Sequence, residues 1–286
     1  MTMQLGIFAK TFDRETIDEN VDAVKQAGLD CVQYNLVCAG LSKLPRSLDP
    51  AVCSRIRESH ASRGISMPAI SATFNILDAD QDRLAENLER LRVLAESADA
   101  LGTRMMTLCT GSRDQENMWR HHPENDTASA WQDMMSSMRK ILVIAEGAGV
   151  DVGVEPEINN VVSSAQKAHR MLEELASTRV KIVIDGANLI TADNIESMSD
   201  VLLPSVELLR KNIAIAHAKD VRIEHGKVIH VAPGQGQLDY ESYLEALVGG
   251  GFDGPLVMHG LTEAEVPESV DYVKTCLVKV TGSTSS

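Results

Sequence analysis

Four residues of metal-ligating type close four short apolar runs in the second half of the chain: Gly-Val-Glu155, Val-Ile-Asp185, Ile-Ala-His217 and Val-Met-His259. Carboxylate oxygens and imidazole nitrogens bind divalent cations, and the same groups can take up or release protons during catalysis. Taken singly, each has a plain alternative. An acid at a strand end caps a helix or accepts loop hydrogen bonds, and a histidine packs. Together they fall at equivalent places on successive strands, and neighbouring strands lie about 5 Å apart, so the four come within reach of one ion. Two carboxylates with two imidazoles suit Mn²⁺, Zn²⁺, Co²⁺ or Fe²⁺ better than the all-oxygen surroundings that Mg²⁺ prefers. Mn²⁺ is the expected ion, with Mg²⁺ the least favoured alternative. Were His259 off the ion, Glu155, Asp185 and His217 would leave a three-ligand site with open positions.

Such residues need a scaffold that lines up strand ends. Helical patterns end at Gly28, Gly64, Gly102, Gly149 and Gly251, and an apolar, β-rich run follows each at 29–37, 65–71, 104–109, 150–155 and 256–259. Runs at 4–9, 181–185 and 212–217 bring the strands to eight. Helices are expected at 14–27, 48–63, 81–101, 127–148, 163–176, 194–210, 239–249 and 266–279, as Leu84, Leu88, Leu91 and Ala95 or Met134, Met138, Leu142 and Ala145 illustrate. Eightfold strand-helix alternation predicts an α/β protein of the (β/α)8 TIM-barrel kind, whose useful side chains sit at the C-terminal strand ends. A doubly wound sheet would carry a Gly-rich loop after its first strand, where this chain has Phe8-Ala9-Lys10-Thr11-Phe12. One barrel domain is expected over 1–281, followed by a flexible tail, 282–286. The long segments 110–126 and 219–238 are expected to wall the catalytic face.

Composition narrows the function classes. The 286-residue chain carries a formal charge of -14, which opposes binding to a phosphate backbone, so nucleic acid is not an expected partner. No apolar stretch is long enough for a membrane span, and the start lacks a basic region followed by an apolar core, so a cytoplasmic location is expected. Five cysteines without CxxC spacing suggest neither a disulfide framework nor a thiolate zinc site.

Several segments in order, Gly153-Val-Glu-Pro-Glu157, Lys181-Ile-Val-Ile-Asp-Gly-Ala-Asn-Leu189, His217-Ala-Lys-Asp220 and Pro233-Gly-Gln-Gly236 before Leu238-Asp-Tyr240, make the chain resemble the sugar phosphate isomerase/epimerase family, the xylose isomerase-like barrels of AP endonuclease family 2 type. The resemblance implies that Glu155, Asp185 and His217 are metal ligands. Epimerase-like members end the eighth strand on a second Glu that binds metal and moves a proton, and this chain has His259 there. The implied activity is isomerisation or epimerisation of a ketose or related polyol by proton transfer beside a carbonyl. Glu155 would be ligand and base, and His259 ligand or second acid/base. A dehydratase acting on a keto-inositol-like compound and a non-catalytic sugar-binding barrel are the alternatives. The cluster of several metals needed for phosphodiester cleavage cannot be assembled from these residues. Many relatives have His where Asn188 stands; Asn188 either binds a hydroxyl or caps a turn.

Further rim candidates are less specific. Glu157 and Asn160 either bind sugar hydroxyls or serve as caps. Lys219 either holds an anionic group or pairs with Asp220. Asn75 follows the third strand, beside Phe74, and Tyr34 and Asn35 follow the second. Trp119 in the loop after the fourth strand is either a sugar-stacking wall or a loop anchor. His122, with its neighbour His121, is a substrate-binding candidate weighed against a surface role. The expected partner is a small sugar or polyol, with a homo-oligomer as the default assembly.

Overall fold

Each strand of the barrel begins where an amphipathic helix is stopped. At the end of one such helix Gly149 adopts φ +69° and returns its N–H to Ala145 O, and the next strand starts two residues later. In the computed structural model, which describes residues 3–282, this punctuation yields the expected (β/α)8 barrel. Its parallel strands are β1 (Leu5–Phe8), β2 (Cys31–Tyr34), β3 (Ser66–Ser71), β4 (Met105–Cys109), β5 (Asp151–Glu155), β6 (Val180–Asp185), β7 (Ile213–Ala218) and β10 (Leu256–Met258). Pairing of β1 with both β2 and β10 closes the sheet. Helices α1 (Ile17–Gln26), α2 (Pro50–Ser62), α3 (Gln81–Leu101), α4 (Ala128–Ala148), α5 (Ala165–Leu175), α6 (Ser199–Leu209), α7 (Tyr240–Gly249) and α8 (Val266–Thr281) follow the barrel strands in turn. Most of the buried apolar residues form one cluster that includes both barrel strands and helix faces.

A separate, smaller cluster of Ala69, Val183, Ile215 and Val257, with Phe8 and Met105 against it, comes from strands alone. This is the packing inside the barrel. Three of its members lie two residues before Asp185, His217 and His259, and strand side chains alternate in direction, so the three polar residues continue the same inward rows. Gly153 holds the equivalent place before Glu155; a Cβ there would meet Val183 Cγ2 at 2.9 Å. The candidate ligands therefore sit directly above a dry hydrocarbon layer.

The structure departs from expectation in three places. The run 29–37 ends as strand at Tyr34 and turns into a 3-10 helix, Leu36–Ala39. The helix expected at 194–210 is split into a 3-10 turn, Ile195–Ser197, and α6. The loop 219–238 holds an antiparallel hairpin, β8 (Asp220–Glu224) and β9 (Lys227–Val231), turned at His225 and Gly226. Val-Arg-Ile beside Val-Ile-His-Val alternates as a strand should, but the pattern is short and charged. Of the expected tail, Gly282 caps α8 with φ +64°, and 283–286 lie outside the described residues.

The hairpin is tied to the barrel by one buried carboxylate. Asp220 accepts the N–H groups of Val221, Gly234, Gly236 and Leu238 at 2.7–3.0 Å. A Cβ at Gly236 would lie 2.2 Å from Asp220 Oδ1, which explains the glycine in Pro-Gly-Gln-Gly. Asp220→Ala leaves these donors unsatisfied, and we expect it to lower unfolding free energy by about 3 kcal/mol in urea titration. A loss below about 1 kcal/mol would mean that water replaces the carboxylate freely.

Candidate metal centre

Glu155 and Asp185 end β5 and β6, His217 lies near the end of β7, and His259 directly follows β10. Strand register sets Asp185 beside His217 and His217 beside Val257. One ligand atom from each of the four residues can be chosen so that all lie within 4.8 Å of one another. His259 Nε2 is 2.8 Å from Asp185 Oδ2, and His217 Nδ1 is 3.2 Å from Glu155 Oε1. The other nitrogen of His217, Nε2, meets Gln33 Oε1 at 3.0 Å. Gln33 is itself fixed by donating to Ser71 and Thr107, and this aims the His217 ring. The Tyr243 hydroxyl donates to Ile184 O and His217 O, tying the ends of β6 and β7 together. Phe8 stacks on His259 at 4.8 Å between ring centroids.

The charge states suit a cation. Burial alone would raise Glu155, but its interactions with His217, including the hydrogen bond, and then with His259 outweigh it and hold the carboxyl below its ordinary value. Burial acts the same way on Asp185 and is outweighed by Lys219, then His259 and His217, so this carboxyl lies well below its usual range. Burial and the neighbouring His217 push His259 down to about 4, leaving a neutral imidazole at neutral pH whose Nε2–H donates to Asp185 Oδ2. Two ionised carboxylates and a neutral imidazole, converging with a second imidazole, form a donor set that fits a divalent ion, which would displace the protons now shared among them.

A second layer fixes Glu155 from the side. Lys219 is buried, with Nζ 3.2 Å from Asp185 Oδ2 and bonded to Asn188 Oδ1. An ammonium only donates, so it forces the Asn188 amide to present its NH₂ to Glu155 Oε1, at 2.7 Å. Lys219 does not form the alternative surface pair with Asp220, whose carboxylate is occupied by backbone donors. Despite burial, the carboxylates Asp185, Glu155 and Glu157 keep Lys219 above its ordinary value and therefore charged.

Above the cluster opens a cavity of about 520 Å³ lined by Glu155, Glu157, Lys219, His259, Trp119 and His230 among others. A groove of about 600 Å³ at Gln4, Ser66 and Arg104, the opposite strand ends, holds none of the four candidate ligands. Of the sequence candidates for substrate binding, Glu157, Lys219 and Trp119 line this cavity. Asn75 and His122 do not reach the cavity. The Asn75 amide is consumed by Leu77 N, Ser112 N and Ser112 O, and His122 caps the exposed turn Pro123–Asp126. Asn160 stitches the 110–126 loop through Gly111 N and Met118 O. These short polar side chains satisfy loop backbone, a role that sequence position does not separate from substrate binding. Reasoning from sequence missed Gln33, whose only signal is a polar residue inside the apolar run Cys-Val-Gln-Tyr, and His230 on the hairpin.

Burial, then Glu155 and Asp185 against the opposing Lys219, raise the Glu157 carboxyl from 4.5 to about 7. The folded chain therefore binds more protons than the unfolded one between these values, and stability falls as pH rises across that window, then levels off. In metal-free protein the buried neutral His259 and His230 act in the opposite sense below about pH 6.5, so the Glu157 contribution is read as a difference: the stability of wild type relative to Glu157→Gln is expected to drop by on the order of 2 kcal/mol between about pH 5 and pH 8. Equal slopes in both proteins would contradict the assignment.

Among known proteins, the family described as xylose isomerase-like TIM barrel matches residues 21–276. No functionally curated protein matches the sequence. Solved structures of the same shape include 3-keto-D-glucoside 4-epimerase from E. coli, 19% identical with TM-score 0.75, covering 96% of this chain and 100% of that one. D-psicose 3-epimerase with D-tagatose from Clostridium cellulolyticum H10 is 16% identical with TM-score 0.71, covering 96% and 99%. An IOLI protein with a bound zinc atom is 18% identical with TM-score 0.72, covering 99% and 100%. Identities this low establish a shared fold.

Proposed function

Because this chain belongs to the xylose isomerase-like TIM barrel family, we propose that it is a metal-dependent isomerase or epimerase acting on a ketose or related polyol, working as a single barrel in the cytoplasm. The observation that carries this reading is the converging set Glu155, Asp185, His217 and His259 at the floor of a sugar-sized cavity. These four would hold the ion, Mn²⁺ favoured, with Zn²⁺, Co²⁺ or Fe²⁺ also suited. When bound, a divalent ion supplies Lewis-acid polarisation of the substrate carbonyl.

The chain's own groups perform the proton transfer. Glu155, ionised and oriented by Asn188 and His217, takes the proton from the carbon beside the carbonyl through its carboxylate. His259 and Glu155 are the groups that return a proton, on the opposite face for epimerisation or to the adjacent oxygen and carbon for isomerisation. Glu157, Lys219 and Trp119 line the space for the polyol, and Asn188, which does not line it, acts by fixing Glu155 and Lys219. A dehydratase reading draws support from the unsymmetrical pair of carboxylate and imidazole, together with Glu157, which stays largely protonated up to about pH 7 and can assist hydroxide departure.

The test is metal content of the purified protein, followed by solvent-deuterium exchange into a panel of ketoses and keto-inositols. About one ion per chain with exchange into a panel member is the expected result. Exchange retained in the sugar indicates isomerase chemistry, and loss of water indicates the dehydratase. Absence of metal and exchange after reconstitution with Mn²⁺, Zn²⁺ and Co²⁺ would leave a sugar-binding barrel.

A further inference from the structure

We propose that the substrate carries an anionic group, a carboxylate or a phosphate, and that Lys10 and Lys43 grip it at the mouth of the cavity, away from the reacting carbon. This deepens the sugar reading above and rests on it.

Both lysines line the cavity that has Glu155 and His259 at its floor. Among the described residues neither Lys10 nor Lys43 makes an ion pair, so both ammoniums stay available to the cavity, whereas Lys219 at its floor is committed to Asp185. Partial burial and the Lys43 charge push Lys10 below the ordinary lysine value. Two ammoniums facing one space without a counter-ion repel each other, and a bound anion relieves that repulsion.

Both are built into anchored backbone. Lys10 sits in the 3-10 turn Ala9–Thr11, which buried Asn20 fastens by donating to Ala9 O and Phe12 O at 2.9 and 2.7 Å. Lys43 precedes buried Leu44, whose carbonyl accepts from Arg90. The Lys10 ammonium lies 5.5 Å from the centre of the Phe8 ring, and Phe8 stacks on His259. The anion would therefore lie one aromatic ring beyond the floor cluster. Asn35 lines the same cavity, and its buried Oδ1 has no hydrogen-bond partner, so it can accept a sugar hydroxyl.

The unpaired ammoniums lie at the rim, while the floor carboxylates are committed to the ion and to Lys219. An anionic sugar therefore enters with its neutral carbonyl end down and its charge at the mouth. Lys219 cannot serve as the anion holder, since its charge is committed to Asp185.

Matched trios decide the matter. D-fructose, D-psicose and D-tagatose are each compared with their 6-phosphate and their 6-carboxylate by calorimetric titration against wild type, Lys10→Met, Lys43→Met and the double variant. Within at least one trio an anionic member is expected to bind about tenfold or more tighter than its neutral parent. The double variant should erase the preference while thermal unfolding shows a folded protein close to wild type, because neither ammonium makes an ion pair and methionine keeps the apolar stem that packs at the rim. The tighter of the two anionic arms assigns phosphate or carboxylate. Neutral sugars binding as tightly as the anionic forms, or a preference that survives in the double variant, would overturn the proposal and leave the sugar reading intact. Binding of no member of any trio would overturn both.

Discussion

Glu155→Gln is expected to lower solvent-deuterium exchange into the responsive sugar by about a thousandfold, the scale of a lost general base. Glutamine keeps the size of the side chain and can still accept the Asn188 amide hydrogen at its oxygen, so the change is one of charge and basicity. It removes a proton acceptor that His217 and His259 hold ionised, and also an anionic ligand. Exchange followed by NMR separates chemistry from binding when the same samples are assayed for bound metal. If the variant keeps its metal and exchanges at a rate within about threefold of wild type, Glu155 is not the base, and His259 or Glu157 takes that role.

Asp185→Ala should have the largest effect on the centre as a whole. Its Oδ2 meets His259 Nε2 and Lys219 Nζ, and its Oδ1 accepts Ala187 N–H, all with the side chain buried. Removal takes away a ligand and strands a buried ammonium, so bound metal should fall from about one equivalent to near zero, with unfolding free energy of the apoprotein down by about 3–5 kcal/mol. A second substitution separates the causes. Adding Lys219→Met to Asp185→Ala should recover much of the stability while leaving the metal lost, since the stranded charge is gone. Failure of the double variant to recover would place the loss in the cavity left behind or in the Ala187 turn.

The barrel was legible because its cues are local. A helix that ends at Gly149 and a strand that starts two residues later are encoded within a few positions of each other, and the alternation recurs around the chain. The four candidate ligands were legible for the same reason. A residue type at a strand end, two positions beyond an apolar inward residue, is a statement about parity along one strand. The hairpin β8–β9 was hidden because its strands are short and its alternation carries charges at the surface.

By itself the sequence determined the order of elements, the inward parity of Glu155, Asp185, His217 and His259, and the kind of chemistry their atoms permit. Tertiary structure alone decided which loop residues join them. Asn75 and His122 were spent on backbone, Lys219 turned inward to Asp185 and Asn188, Gln33 reached His217 across the barrel, and Lys10 and Lys43 came to share one rim. The physical reason is distance along the chain. Gln33 and His217 are 184 residues apart, and their contact exists only once the strand register has closed the barrel. Local periodicity fixes the direction of a side chain, and closure selects the groups it meets there.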